Sequence, residues 1–255
     1  MAWCLNIACT DSWWKDSLES EILTQVDSGI VTNWSKAPPR FPWVTLTIFL
    51  LCCGTQLLHL GLTPLAQNAV LELGGVLPVQ LSAALSQPGW WADYRFLSLF
   101  TALFLHAGWL HLLGNMAYLW VFGMPLERRL GGLGMVVVFV IGGALANWFV
   151  VMRLPDLTSP IVGASGAVSA VVGAYLGMFP YRRIGMLLPL GLFLQFARIP
   201  AILVIGSWFT LQLVYTILGP ITGVVAWWTH MAGFALGLIF ALLLRAIAQL
   251  IWDRT

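Results

Sequence analysis

The chain has 255 residues, 60% of them hydrophobic and 9% charged, with a mean hydropathy of +0.88, a composition far outside that of soluble domains and one that reads as an integral membrane protein. A net charge of +2 with no basic cluster interleaved with aromatics excludes nucleic acid as a partner. Cys4 and Cys9 lie in the N-terminal stretch and Cys52 and Cys53 in the first apolar run, so no pair suits an extracytoplasmic disulfide and free thiols are expected.

Residues 1–40 mix Asp, Glu, Lys and Trp without an apolar core, so they are not a cleaved signal peptide. They read as a cytoplasmic tail ending in the proline-stiffened Lys36-Ala-Pro-Pro-Arg40. Trp43 to Leu60 is the first span, with His59 in a structural role at its outer end. Gly61 to Arg95 is a partly apolar connection on the outer surface, and its Trp90-Trp91 pair suits the membrane interface. Phe96 to Phe122 is the second span and carries His106, His111 and Asn115. Leu133 to Met152 is the third and Ile161 to Phe179 a short fourth, left through Arg182-Arg183. Ile184 to Ala197 is too short for a crossing and is split by Pro189-Leu-Gly191, so a surface hairpin is expected. Ile199 to Leu218 and Ile221 to Ile251 are the fifth and sixth spans.

Cations support this count. With the N-terminus inside and six crossings, Lys15, Lys36, Arg40, Arg128, Arg129, Arg182, Arg183, Arg198, Arg245 and Arg254 all lie inside, and only Arg95 and Arg153 lie outside. A seventh crossing would move Arg198, Arg245 and Arg254 out. The expected organisation is a tail, 1–40, and a membrane domain, 41–252, with both termini cytoplasmic.

The second, fourth and sixth spans bring polar groups to one depth. Ser165 falls ~7 Å below the outer start of its span, His230 ~10 to 13 Å below its own, and His111 ~13 Å below the outer surface. His111 and Asn115, at i and i+4, share a helix face, whereas His106 faces elsewhere and reads as structural. Polar groups inside a bilayer face the bundle interior or water and are functional candidates by default. Packing is the bland reading for Gly163-Ala-Ser165-Gly166 taken alone, and interhelical hydrogen bonding for His111 and Asn115.

Gly233 and Gly237, at i+3 and i+7 from His230, form one ridge, and Ser165, Ser169 and Gly173 form another. Two such ridges pack with backbones close together, bringing Ser165 and His230 within the reach that a nucleophile and its base require. No Asp or Glu lies in any expected span, so the arrangement suits a Ser-His dyad rather than a triad. His111, Asn115 and the Ser165 backbone N–H would face the tetrahedral oxyanion. Nothing in the pattern calls for a metal or a cofactor.

Together these residues resemble the rhomboid family of intramembrane serine proteases. The resemblance rests on Gly163-Ala-Ser165-Gly166, on His106 with His111-Leu-Leu-Gly-Asn115, on His230 with Gly233 and Gly237, and on the four-residue spacing of Gly123, Glu127 and Gly131, and it covers roughly Trp43 to Ile251. It implies an all-α fold, a six-transmembrane-helix bundle, and cleavage of single-span transmembrane proteins near the outer membrane face, in a bacterial cytoplasmic (inner) membrane. Two positions depart from the family pattern. Leu97-Ser98 stands where a Trp-Arg pair is common, with Tyr94-Arg95 three residues earlier, and Ser169 stands where some members place an aromatic against the histidine. Here His230 is held by another aromatic or less firmly. The alternative is a rhomboid-like protein that binds membrane helices without cutting them.

Overall fold

The computed structural model describes residues 41–89, 93–190, 193–218 and 221–252. The expected tail 1–40 and the Trp90-Trp91 pair lie outside them. Residues 41–244 form one compact unit; α1 (Trp43–Leu60), α2 (Pro64–Gly74), α3 (Pro78–Leu85), α4 (Tyr94–Phe104), α5 (109–130), α6 (132–153), α7 (Ser165–Met178) and α8 (Ala201–Leu218) lie within it in order, and α9 (Ile221–Trp252) follows, belonging to it as far as Leu244.

Among the described residues three stretches are long and apolar enough to cross a bilayer: Trp43–Leu60, Trp109–Arg153 and Trp227–Ile251. The middle one is two arms, because Gly131 takes φ +75° and reverses the chain. The reversal shows in contact: Met135 Cε would lie 3.2 Å from a Cβ placed on Gly123, although twelve residues of straight helix span ~18 Å. Each arm is ~33 Å long, enough for one crossing. Glu127, just before the bend, receives hydrogen bonds from Val44 N (2.9 Å), Thr45 N (2.6 Å) and Thr45 Oγ1 (2.6 Å). Its carboxylate thus caps the N-terminus of α1, where unpaired N–H groups and the helix dipole favour an anion.

Three expectations need correction. The second span does not run unbroken from Phe96: α4 ends at Phe104, residues 105–108 are not helical, and α5 begins at Trp109. Carbonyls at the break find distant partners, since Thr55 Oγ1 donates to Phe104 O (2.6 Å), and Ala102 O, which accepts from Leu105 N at 3.3 Å, also accepts from Gly163 N (2.9 Å). Second, the first connection is built of α2 and α3, each opened by a proline in its first turn, rather than of loop. A two-residue bridge, Val76 with Ile161, ties it to the approach of α7, and Arg95 forks onto Asp93 at 2.7 and 2.9 Å, holding that carboxyl below the usual carboxylate range. Third, the fold is not wholly α-helical. Residues 184–197 form the expected hairpin, as antiparallel strands β1 (Arg183–Leu190) and β2 (Phe193–Pro200).

The core runs along α7, whose buried face from Ala167 to Tyr175 meets Leu103, Leu119, Phe139 and Phe234. His59 is buried at the end of α1 and exchanges hydrogen bonds with Gln67 of α2, Nε2 to Gln67 O at 3.2 Å and Gln67 Nε2 to His59 O at 3.1 Å, a structural role as expected.

Candidate active site

Ser165 is the first residue of α7, and its approach is fixed backbone atom by backbone atom. Ile161 pairs with Val76, Gly163 N donates to Ala102 O, and Ala164 N donates to His106 Nε2 at 3.4 Å. Gly163 takes φ +125°, which L side chains rarely adopt. A side chain there is also excluded by space, since a Cβ would lie 2.5 Å from Cε1 and 2.8 Å from Nε2 of His111. The His111 imidazole therefore lies directly on the turn that delivers Ser165. The first intrahelical hydrogen bond of α7 is Val168 N to Ala164 O, so the N–H groups of Ser165, Gly166 and Ala167 are at the positive end of the helix dipole. Ser165 itself is partly exposed.

The histidines on either side of the α4–α5 break lie together, their rings 5.2 Å apart at 67°. His106 does not face away from the site. It is buried, and its Nε2 accepts from the Ala164 N–H, which places its ring proton on Nδ1. It holds the Ser165 turn, a role that the expected continuous helix hid. Asn115, also buried, donates one amide hydrogen to His111 O at 3.1 Å, and an amide has a second to give.

The helix α9 meets α7 closely, but by another ridge than expected. Gly233 rests on the carbonyl of Gly166, Gly237 on the carbonyl of Ala170, and the Phe234 carbonyl on Gly173, leaving no room for a Cβ at any of the three glycines. The α7 ridge is therefore Gly166, Ala170 and Gly173, one residue on from Ser165 and Ser169. Ser169 is buried and gives its hydroxyl to Ser165 O at 2.7 Å, a bond within its own helix. Thr229 also abuts Gly166, with Cγ2 2.5 Å from where a Cβ would be. Residues 229 and 233, one before His230 and one turn after it, thus bracket the residue next to Ser165.

His230 has its Nε2 buried and two tryptophans against it, Trp227 edge-on at 5.6 Å and Trp208 tilted at 6.2 Å. These aromatics stand in for the one absent at Ser169. Trp227, at i−3 on the same helix, was there to be read; Trp208 comes from α8, and no local spacing reveals it. The carboxylate of Glu127 is committed to the start of α1. Among the described residues no group of three or more His, Cys, Asp or Glu is arranged to hold a metal ion.

Comparison with known proteins follows the same residues. A family model described as the rhomboid domain matches residues 91–247. A Bacillus subtilis protein provisionally named as the rhomboid protease YdcA is 37% identical over 93 residues, 36% of this chain and 43% of its own. The Arabidopsis thaliana rhomboid-like protein 11, chloroplastic, is 37% identical over 84 residues, 32% of this chain and 26% of its own. The human rhomboid-related protein 3 is 37% identical over 89 residues, 34% of this chain and 21% of its own. The chain thus spans less than half the length of these curated relatives.

Proposed function

This chain belongs to the rhomboid family, and on that premise we propose that it is an intramembrane serine endopeptidase with Ser165 as nucleophile and His230 as its base. The observation that carries the reading is the close contact of Gly233 and Thr229 with Gly166, which draws the helix of one imidazole against the residue that follows the partly exposed Ser165. Ser165 Oγ attacks the scissile carbonyl carbon while His230 takes the hydroxyl proton. The tetrahedral oxyanion accepts hydrogen bonds from the Ser165 N–H, the second amide hydrogen of Asn115 and the His111 imidazole; losing one such donor costs ~100- to 1000-fold in rate. Collapse of the intermediate expels the amine, which receives the proton from His230. Water, activated by the same imidazole, then releases the acyl group. Gly163, Gly166, Gly233 and Gly237 act by letting these backbones approach.

The substrates are single-span transmembrane proteins, cut near the extracytoplasmic face of a bacterial cytoplasmic membrane. Six crossings put both termini in the cytoplasm, so cysteines introduced near Arg128, Arg183 and the C-terminus should react from the inside and those near Asp93 and Asp156 from the outside. The dyad is tested by incubating purified protein with a model single-span substrate and with a fluorophosphonate probe. The native chain should cleave and be labelled at Ser165; Ser165→Ala and His230→Ala should each abolish cleavage while staying folded, because a dyad acts as a unit. Undiminished cleavage by Ser165→Ala sinks the reading. A native chain that captures the substrate uncut and takes no label would instead be a non-catalytic helix-binding protein.

A further inference from the structure

The β1–β2 hairpin follows Met178, at the end of α7 opposite to Ser165, and its base is closed by Arg183 opposite Pro200 and by Ala201 N donating to Arg182 O at 2.6 Å. Antiparallel pairing puts directly opposed residues on one face. The register pairs Gly185 with Arg198, so Arg183 and Arg198 are diagonal neighbours at the base of one face. Both are exposed. Further along the register come Leu187 opposite Phe196 and Pro189 opposite Leu194, respectively two and four residues, or ~7 and ~13 Å, beyond the Gly185–Arg198 pair. The second face is apolar in sequence from Ile184 to Phe193 except for Gln195. Neither face carries the polar alternation of a sheet wetted on one side.

Two environments are excluded by this pattern. In water a two-stranded hairpin is marginal even with one polar face. In the hydrocarbon core the outer N–H and C=O groups of both strands would go unpaired, because the sheet has two strands and therefore two open edges. The headgroup–acyl boundary satisfies every part of it. Open edges bond to water and headgroups there, apolar residues lie on the acyl chains, and guanidinium groups meet phosphates, for which their planar donor fork is suited.

We propose that strands β1 and β2 form a lipid-binding hairpin, lying in the headgroup–acyl boundary of the leaflet opposite to Ser165, with Arg183 and Arg198 on the phosphates of anionic phospholipids. A basic side chain at an anionic surface favours binding by roughly fivefold, so two give ~30-fold. The hairpin then anchors the lower end of α7 to the phosphate plane.

The full chain, with its native cysteines replaced, is reconstituted in nanodiscs of phosphatidylcholine with or without phosphatidylglycerol, and spin labels are placed by Leu187→Cys and Leu194→Cys. The labels should be relaxed by oxygen and not by a water-soluble nickel chelate. In native mass spectrometry Arg183→Gln/Arg198→Gln should retain ~30-fold less phosphatidylglycerol than the native chain, and inorganic phosphate should not displace the lipid. Labels relaxed by nickel would place the hairpin in water and overturn the proposal. So would equal phosphatidylglycerol retention by the two chains, and displacement by inorganic phosphate would make the arginines a phosphate site rather than a lipid site.

Discussion

Gly233→Ala tests the contact on which the site depends. A Cβ at 233 would run into the Gly166 carbonyl oxygen and lie 3.0 Å from its carbon and 3.3 Å from Ala170 N. These are backbone atoms in a buried helix and cannot swing aside, so α7 and α9 must part by about 1 Å to restore ordinary contact. Overpacking costs ~1–3 kcal/mol, and a backbone obstacle puts this case at the upper end. Replacing a helical glycine returns up to ~1 kcal/mol, which leaves a net loss of about 2 kcal/mol. A displacement of ~1 Å at the chemistry costs ~100-fold in rate. The control is Gly206→Ala in α8, where a Cβ meets nothing within 4 Å; it should be neutral or stabilising. Unfolding in mixed micelles titrated with SDS measures the first quantity, and cleavage of a single-span substrate the second. If Gly233→Ala matches Gly206→Ala in both, the helices are not held backbone to backbone and the account of the site fails.

Gly163→Ala combines an unfavourable φ of +125° with a clash on the His111 ring; it should cut cleavage by ~100-fold or more while circular dichroism stays native, and normal kinetics would remove His111 from the site. Glu127→Gln keeps the shape but weakens three charge-assisted bonds to Val44 and Thr45, so the unfolding free energy should fall by ~1–3 kcal/mol with kcat little changed in the surviving fold; unchanged stability would show that the cap of α1 contributes nothing. A substrate helix has its carbonyls bonded internally and must unwind to be attacked. Replacing Leu by Gly or Pro near the outer boundary lowers that cost by ~1 and ~3 kcal/mol, and equal cleavage rates across such a series would mean that distance from the surface alone selects the cut.

The residues of the candidate site were legible because a bilayer leaves few reasons for a polar side chain. Ser165, His230, His111 and Asn115 stood out against apolar neighbours, and Gly233 and Gly237 marked the closest contact of their helix. The matching ridge on α7 was misplaced by one residue at Ser165 and Ser169, though not at Gly173, because every position from Gly163 to Gly173 is Gly, Ala, Ser or Val. Small residues on all faces carry no period, and only the partner selects Gly166 and Ala170. The break before Trp109 was invisible for a related reason. Carbonyls there bond to Thr55 and Gly163, far away in sequence, so a mostly apolar run conceals a tertiary loop. The two helices of the first connection could have been suspected from Pro64 and Pro78, each at the start of a helix. The hairpin was legible because Pro189 and Gly191 break a run too short to cross.

The seam between α7 and α9 also bears on how such a sequence can diverge. At Gly173, Gly233 and Gly237 the space that a Cβ would need is taken by a carbonyl of the other helix, so a larger residue at any of the three has no compensating replacement across the seam: a carbonyl cannot be made smaller, whereas at Gly166 the obstacle is the Thr229 side chain. Substitution is therefore barred at these three positions by backbone atoms alone, whatever residues surround them.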